Sequence, residues 1–189
     1  MPRSVDAVER RHELTEAAAR LIAQSGIGAA TMRGVATEAG WSTGALTHYF
    51  ADKRELLLAT LQTSLRRRRD QGPAPADDSP GAVLHAALAA ALPLDDDSRR
   101  HWMVTVAFCA EAAGDAELAA AQQDAYRQFL RRVTRLVGRV TAGAEPEARR
   151  TAERLIALID GVALQALFDP ASWPAERQLA ALDEELGSL

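Results

Sequence analysis

The sequence contains very little cysteine and few aromatic residues. Cys109 is the single cysteine among 189 residues, so no disulfide can form within the chain, and a reducing compartment is the natural expectation. Long apolar runs are also missing. No segment approaches the roughly 18 consecutive apolar residues of a membrane span, and the charged N-terminus lacks the apolar core of a signal peptide. We therefore expect a cytoplasmic protein.

Signals for β-strands are equally scarce. β-branched residues are few and do not alternate with polar residues over any long run. Alanine is abundant, and it loses no side-chain entropy when a helix forms. Hydrophobic residues make up 48% and charged residues 25% of the chain, which is typical of a globular protein. The sequence therefore predicts an all-α fold.

Motifs for catalysis and metal binding are absent as well. The four histidines show no metal-ligand spacing, and Cys109 has no partner two or three residues away. No phosphate-binding loop, nucleophile elbow or dinucleotide-binding fingerprint occurs. We expect neither an enzyme, nor a metal site, nor a bound cofactor.

Charge is distributed unevenly along the chain. The net charge is −4, but residues 1–70 carry 11 basic against 8 acidic residues, while residues 71–189 carry 11 against 18. A mildly basic head on an acidic body suits a protein that contacts phosphates at one end only.

Helical periodicity and turn residues divide the chain into two domains. The segment 71–81, QGPAPADDSPG, is rich in proline, glycine and aspartate and is typical of a linker. We predict one domain over residues 1–70, with a linking fourth helix, and a second over 71–189. The predicted helices span about 5–24, 32–39, 43–49 and 53–69, then 80–92, 98–113, 115–140, 146–167 and 174–186.

The segment Thr31–Phe50, TMRGVATEAGWSTGALTHYF, has the pattern of a helix-turn-helix. Ala36 is small enough for close helix packing, and Gly40 suits the tight turn. Trp41 follows the turn and is expected to plug the core, while Leu46 faces inward from the second helix. By spacing alone, an ordinary helical hairpin remains the alternative.

A helix-turn-helix exposes the remaining side chains of its second helix to the major groove of DNA. Hydrogen-bonding groups and a small methyl group are the types that read base edges; the candidates are Thr43, Ala45, Thr47 and His48. Better placed for phosphates are Thr31, Arg33, Ser42, Tyr49 and Lys53. Lys53 begins a helix, where free backbone N–H groups also favour an anion.

The run from Gly44 to Leu56, GALTHYFADKREL, resembles TetR-type transcriptional regulators, whose pattern is G-[AST]-L-x-x-[HY]-F-x-x-K-x-x-L. Thr47 departs from the family, which usually has a tyrosine there that contacts the DNA backbone. The THYF segment, with residues 99–118 and 155–174, is similar to the subgroup of the glycine-betaine synthesis repressor. The resemblance implies a homodimeric repressor that binds a palindromic double-stranded operator and is released by a small-molecule effector.

A set of aromatic side chains on the second and third C-terminal helices is a candidate effector pocket. Aromatic faces with a counter-charge bind quaternary ammonium groups; the candidates are Trp102, Phe108, Glu111, Tyr126 and Phe129. The alternative is that these rings belong to the ordinary core.

The apolar helix around Asp160–Gly161 is a candidate dimer interface, because a glycine inside a helix allows close approach of a partner helix. With the last helix it would form a four-helix bundle across the dimer. The candidate residues are Leu155, Ile156, Ile159, Gly161, Ala163, Leu167, Leu179, Leu182 and Leu186. For some of these residues the monomer core is the alternative.

Two other functional classes compete with DNA binding. A helical module for protein contacts predicts little salt dependence and no operator, and a helical enzyme predicts turnover of a metabolite. The sequence leaves open the effector, the operator and whether a DNA-binding protein of this type represses or activates.

Overall fold

The computed structural model describes residues 3–70 and 73–189, and within those ranges the chain is helical without a strand. The all-α prediction is thereby confirmed. Gln71 and Gly72, at the start of the predicted linker, lie outside the described residues. The helices are α1 (Arg3–Ser25), α2 (Met32–Glu38), α3 (Thr43–Leu46), α4 (Lys53–Asp70), α5 (Pro80–Ala89), α6 (Asp96–Ala112), α7 (Ala116–Thr141), α8 (Glu145–Phe168) and α9 (Ala175–Leu186).

The helices form two compact units. The first runs up to Arg67 and also takes in Met103–Gln122, and the second comprises Arg68–Trp102 and Gln123–Leu189. The chain first passes from one unit to the other between Arg67 and Arg68, three residues before the boundary predicted after residue 70. The sequence did not indicate that the second half of α6 and the start of α7 belong to the first unit, since linker composition marks only one crossing of the chain.

The core of the first unit forms around the apolar stripe of α1. Leu14, Ala18 and Ile22 are spaced at helical intervals and are at most 2% exposed. They pack with apolar residues of α2 to α4 and of the returning segment; the larger ones are Val35, Leu46, Phe50, Leu56, Leu61, Val104, Phe108 and Leu118.

The core of the second unit is built from α5, α7, α8 and α9. On α8, Leu155, Ile156 and Ile159 are at most 2% exposed. Polar contacts fix the ends of the helices: Arg99 donates to the carbonyl of Ala166 at 2.7 Å, where the last turn of α8 has no helical partner.

Candidate nucleic-acid interface

A tight turn joins α2 to α3. Gly40 has φ +74°, a left-handed conformation that residues with a Cβ rarely adopt, and the Trp41 N–H donates to the Ala36 carbonyl at 2.7 Å. Ala36 and Leu46 are at most 1% exposed, as the sequence predicted. Trp41 is only half-buried, so it covers the edge of the core, and its ring meets that of Tyr49 edge-on at 5.7 Å between centroids. Helix-turn-helix geometry is thus present.

The recognition segment, defined as residues 42–49, contains only one turn of regular helix. Ser42 Oγ accepts from the Ala45 N–H at 3.1 Å and caps the N-terminus of α3. The chain continues after Leu46 as a turn, so the predicted helix to Tyr49 is too long. Thr47 Oγ1 donates to the Gly44 carbonyl at 2.8 Å, which leaves its oxygen as an acceptor for other contacts.

The proposed base-reading side chains lie on the open side of this segment. Thr43, Thr47 and His48 are exposed, and Ala45 is half-buried. Leu46 and Phe50 are fully buried beneath them. The segment therefore presents short polar groups on a rigid apolar anchor, which is the arrangement that major-groove readout requires.

Two of the proposed phosphate-binding side chains, Ser42 and Tyr49, lie at the ends of the recognition segment, and the other three lie outside it. Thr31 caps α2, its Oγ1 accepting from the Gly34 N–H at 3.0 Å, and is exposed, as are Arg33 and Ser42. Tyr49 and Lys53 are half-buried.

Two backbone N–H groups around the start of α4, those of Ala51 and Glu55, are bonded to carboxylates. Asp52 Oδ1 accepts from the Glu55 N–H at 2.9 Å, and Glu55 Oε2 accepts from the Ala51 N–H at 2.8 Å. These carboxylates compete with any phosphate for the same amides. The side chain of Lys53 adds a positive charge to this turn and stays a predicted phosphate ligand.

Sequence reasoning missed Arg11, which joins α1 to the end of the recognition segment. Its guanidinium donates to the Tyr49 carbonyl, lies 4.3 Å from the centroid of the Phe50 ring, and pairs with Glu55 at 3.1 Å. The Ala51 N–H and then Arg11 hold the pKa of Glu55 below its usual value. A signal was present: Arg11 extends the stripe of Leu14 and Ala18, where a charge requires a partner.

The five proposed pocket residues have different environments. Phe108 is 1% exposed in the core of the first unit, which is the ordinary-core alternative that the sequence left open. Trp102 is 6% exposed, and its indole N–H donates to the Ala91 carbonyl at 2.7 Å. Phe129 packs against the second core, while Glu111 and Tyr126 are exposed.

Most of the proposed dimer residues are buried within the chain itself. Six of them are at most 5% exposed, because they fill the core of the second unit or lie beside it, which is the monomer-core alternative that the sequence left open; they are Leu155, Ile156, Ile159, Ala163, Leu167 and Leu182. Leu179 and Leu186 are half-buried against the same core.

The exposed face of α8 is the opposite one. Gly161 is exposed, and along its face Leu164 is 39% and Phe168 79% exposed. Toward the N-terminus of α8 this face continues into an open groove of about 600 Å³, lined by Glu147, Arg150, Thr151, Glu153, Arg154 and Ala157.

The described residues contain neither a cluster of metal ligands nor a helix suited to a membrane. No three His, Cys, Asp or Glu side chains there are grouped so as to hold a metal ion. None of the helices described is both long and apolar enough to cross a membrane.

Similarity to known proteins covers nearly the whole chain. Residues 14–60 match the family described as bacterial regulatory proteins, tetR family, and residues 80–189 match the family described as BetI-type transcriptional repressor, C-terminal. The HTH-type transcriptional regulator PksA of Bacillus subtilis (strain 168) is 31% identical over 175 residues, which cover 90% of this chain and 84% of that protein.

Solved structures agree with this assignment. A transcriptional regulator from Rhodococcus sp. Rha1 is 34% identical, with a TM-score of 0.79 and 94% of each chain covered. A regulator from Saccharomonospora viridis, solved in complex with choline, shares the fold with a TM-score of 0.82 at 23% identity, covering 95% of this chain and 96% of that one. The chain therefore belongs to the TetR family of bacterial transcriptional regulators, and its C-terminal part is of the BetI repressor type.

Proposed function

We propose that the protein is a homodimeric repressor that reads a palindromic operator through the recognition segment and leaves it when a small-molecule effector binds. The observation that supports this most strongly is the set of exposed polar side chains, Thr43, Thr47 and His48, over the buried Leu46 and Phe50. Such a protein works beside the chromosome in the cytoplasm, and it acts by binding rather than by catalysis.

In this proposal Thr43, Ala45, Thr47 and His48 contact base edges, His48 having the longest reach. Lys53 and Arg33 bind phosphates as cations, and the uncharged hydroxyl groups of Thr31, Ser42 and Tyr49 add neutral hydrogen bonds. Thr47 contributes only as an acceptor, because its hydroxyl proton is bonded to Gly44.

Dimerisation is proposed to use the exposed face of α8 and not the buried leucines. A two-fold axis near Gly161 would let two α8 helices cross closely, because no side chain intervenes there. In an antiparallel crossing at Gly161, Phe168 of each subunit would lie opposite Arg154 and the groove of the other. Independently of that crossing, a palindromic operator requires two recognition segments roughly 34–36 Å apart, which is one turn of DNA.

Effector binding is proposed to reach the recognition segment through α4. Arg54, in the first turn of α4, pairs with Asp115 at 2.6 Å and Glu117 at 3.0 Å, at the turn between α6 and α7. A movement of that turn would pull on the helix that directly follows the recognition segment. The effector acts only through its differential affinity for the two states.

For the effector we propose an organic cation with a quaternary ammonium group. The structural neighbour that holds choline supports this class, and Trp102 and Phe129 of the second unit are the aromatic faces proposed to bind the cation. Choline and a neutral isostere, 3,3-dimethyl-1-butanol, can be compared by thermal unfolding. A Tm that rises with the concentration of choline but not of the neutral isostere supports a quaternary ammonium effector. If both compounds raise the Tm equally, or neither does, this effector class is excluded.

The DNA-binding proposal is tested by fluorescence anisotropy with DNA from upstream of the protein's own gene, or with sites selected from random DNA, across a salt series. We expect selective binding that weakens steeply with salt. His48→Ala should lose selectivity, and Lys53→Ala should lose affinity for all sequences alike, with a salt slope lower by about 1. Weak binding that ignores sequence, also after selection, contradicts the proposal and favours a protein-contact module.

A further inference from the structure

The recognition segment is too short to hold its own position. Its regular helix covers only Thr43–Leu46, and a single helical turn is unstable in isolation because nucleation is unfavourable. Leu46 and Phe50 anchor the buried side of the segment in the core. Residues 49–51 must also be held in place, because the backbone next to His48 sets the direction in which its side chain points.

Arg11 holds this following chain at three consecutive residues. It donates to the carbonyl of Tyr49 and stacks on the ring of Phe50 at 4.3 Å. Through Glu55, whose other carboxylate oxygen accepts from the Ala51 N–H, it also fixes residue 51. One guanidinium thus ties the end of the recognition segment to α1 and to the first turn of α4.

The energetics of this arrangement favour a positional role over a stabilising one. The side chains of Arg11 and Glu55 are 41% and 43% exposed, and exposed ion pairs add little to the free energy of folding. A planar, forked guanidinium, however, sets the geometry of both of its acceptors and of the ring at once. Arg11 also balances the charge of Glu55, which would otherwise repel a phosphate near Lys53.

We propose that Arg11 is a positioning residue for operator recognition, holding residues 49–51 so that His48 and Thr43 meet the bases. The inference rests on the DNA-binding function proposed above. It assigns Arg11 no direct contact with DNA, and this separates it from a phosphate-binding arginine.

The test compares Arg11→Gln, Arg11→Lys and the control Arg131→Gln in the full-length protein. Arg131 is exposed on α7 and belongs to the second unit, so its replacement removes the same charge elsewhere. Arg11→Gln should weaken operator binding at least tenfold, about the loss for one misplaced base contact. Binding to scrambled DNA and the salt slope should stay as in the control. Arg11→Lys should restore little, because lysine lacks the fork.

A fall in the salt slope by about 1, with equal losses on operator and scrambled DNA, identifies Arg11 as a phosphate contact and overturns the proposal. Unchanged operator affinity overturns it as well.

Hydrogen exchange of the amides of residues 49–51 provides a readout without DNA. Arg11→Gln should accelerate their exchange relative to Arg131→Gln. Unchanged exchange would contradict the proposal that Arg11 holds residues 49–51, whatever the DNA result. If the wild type shows no operator selectivity while the exchange effect is present, the proposed function fails and the structural part of this inference stands.

Discussion

At the scale of single residues, the recognition segment depends on groups that hold the backbone as much as on groups that face outward. Ser42 caps α3, Asp52 caps α4, and Glu55 bonds the amide of Ala51. Each removes an N–H group from the set that helix ends leave unsatisfied. Substitutions at Asp52 and Glu55 should therefore change the geometry of the recognition segment without removing a proposed DNA contact.

Gly34 is a residue where the backbone packs too closely for a side chain. An added Cβ would lie 2.6 Å from the Ala29 carbonyl oxygen and 3.1 Å from Thr31 Oγ1. Gly34→Ala should lower the free energy of unfolding by about 1–3 kcal/mol, as overpacking does, measured by urea denaturation. Gly44→Ala is the matched control, because a Cβ there meets nothing within 4 Å. Equal stability of the two variants contradicts the prediction.

Glu55 should make stability depend on pH. Its folded pKa lies below the ordinary value of 4.5, so its contribution is complete above that pH and disappears as the pH falls through the folded pKa. The difference in free energy of unfolding between wild type and Glu55→Gln should be constant near neutrality and shrink below about pH 4.5. Urea denaturation at several pH values measures it, and a difference independent of pH would rule out a charge effect.

At the scale of elements, Asp115, which caps the N-terminus of α7, also forms an ion pair with α4. Asp115 Oδ1 accepts from the N–H groups of Glu117 at 3.0 Å and Leu118 at 3.2 Å, while its carboxylate pairs with Arg54. Because the cap and the ion pair share one side chain, the start of α7 and the first turn of α4 cannot move independently.

Asp115→Ala should therefore lower the free energy of unfolding by about 0.5–2 kcal/mol through loss of the cap. Asp115→Asn keeps an N-cap acceptor and loses only a partly exposed ion pair, so its effect should be below about 1 kcal/mol. Chemical denaturation of both variants measures these two changes in the free energy of unfolding. An alanine variant as stable as the asparagine variant would mean that the cap contributes nothing.

At the scale of the whole molecule, the proposed dimer requires an apolar surface that the single chain leaves open. Phe168, at 79% exposure, is the largest apolar side chain on the exposed face of α8. Phe168→Asp should dissociate the dimer and leave the helical content unchanged, because the residue belongs to neither core. Sedimentation velocity and circular dichroism measure the two effects.

The control for this substitution is Val140→Asp, which places the same charge on an exposed apolar residue of α7. It should remain dimeric. Operator affinity should fall for Phe168→Asp alone, since a monomer engages one half-site. A Phe168→Asp protein that stays dimeric would exclude this face of α8 as the interface.

Local signals in the sequence were sufficient to predict that the helices exist and where in the chain they lie. The approximate helix positions, the turn at Gly40 and the inward direction of Leu46 follow from capping residues, backbone preference and periodicity, each of which acts within a few residues. The end of α3 at Leu46, three residues before the predicted one, does not. The helix-turn-helix was therefore predictable from residues 31–50, together with the exposure of Thr43 and His48.

The sequence by itself determined the all-helical fold, the helix-turn-helix and the family; the tertiary structure decided which residues meet. Arg11 and Glu55 are 44 positions apart in the chain, so no local pattern joins them. Both faces of α8 carry large apolar residues, Leu155 and Ile159 on one and Leu164 and Phe168 on the other. Periodicity cannot choose between them, because only packing against α5, α7 and α9 determines which face is buried.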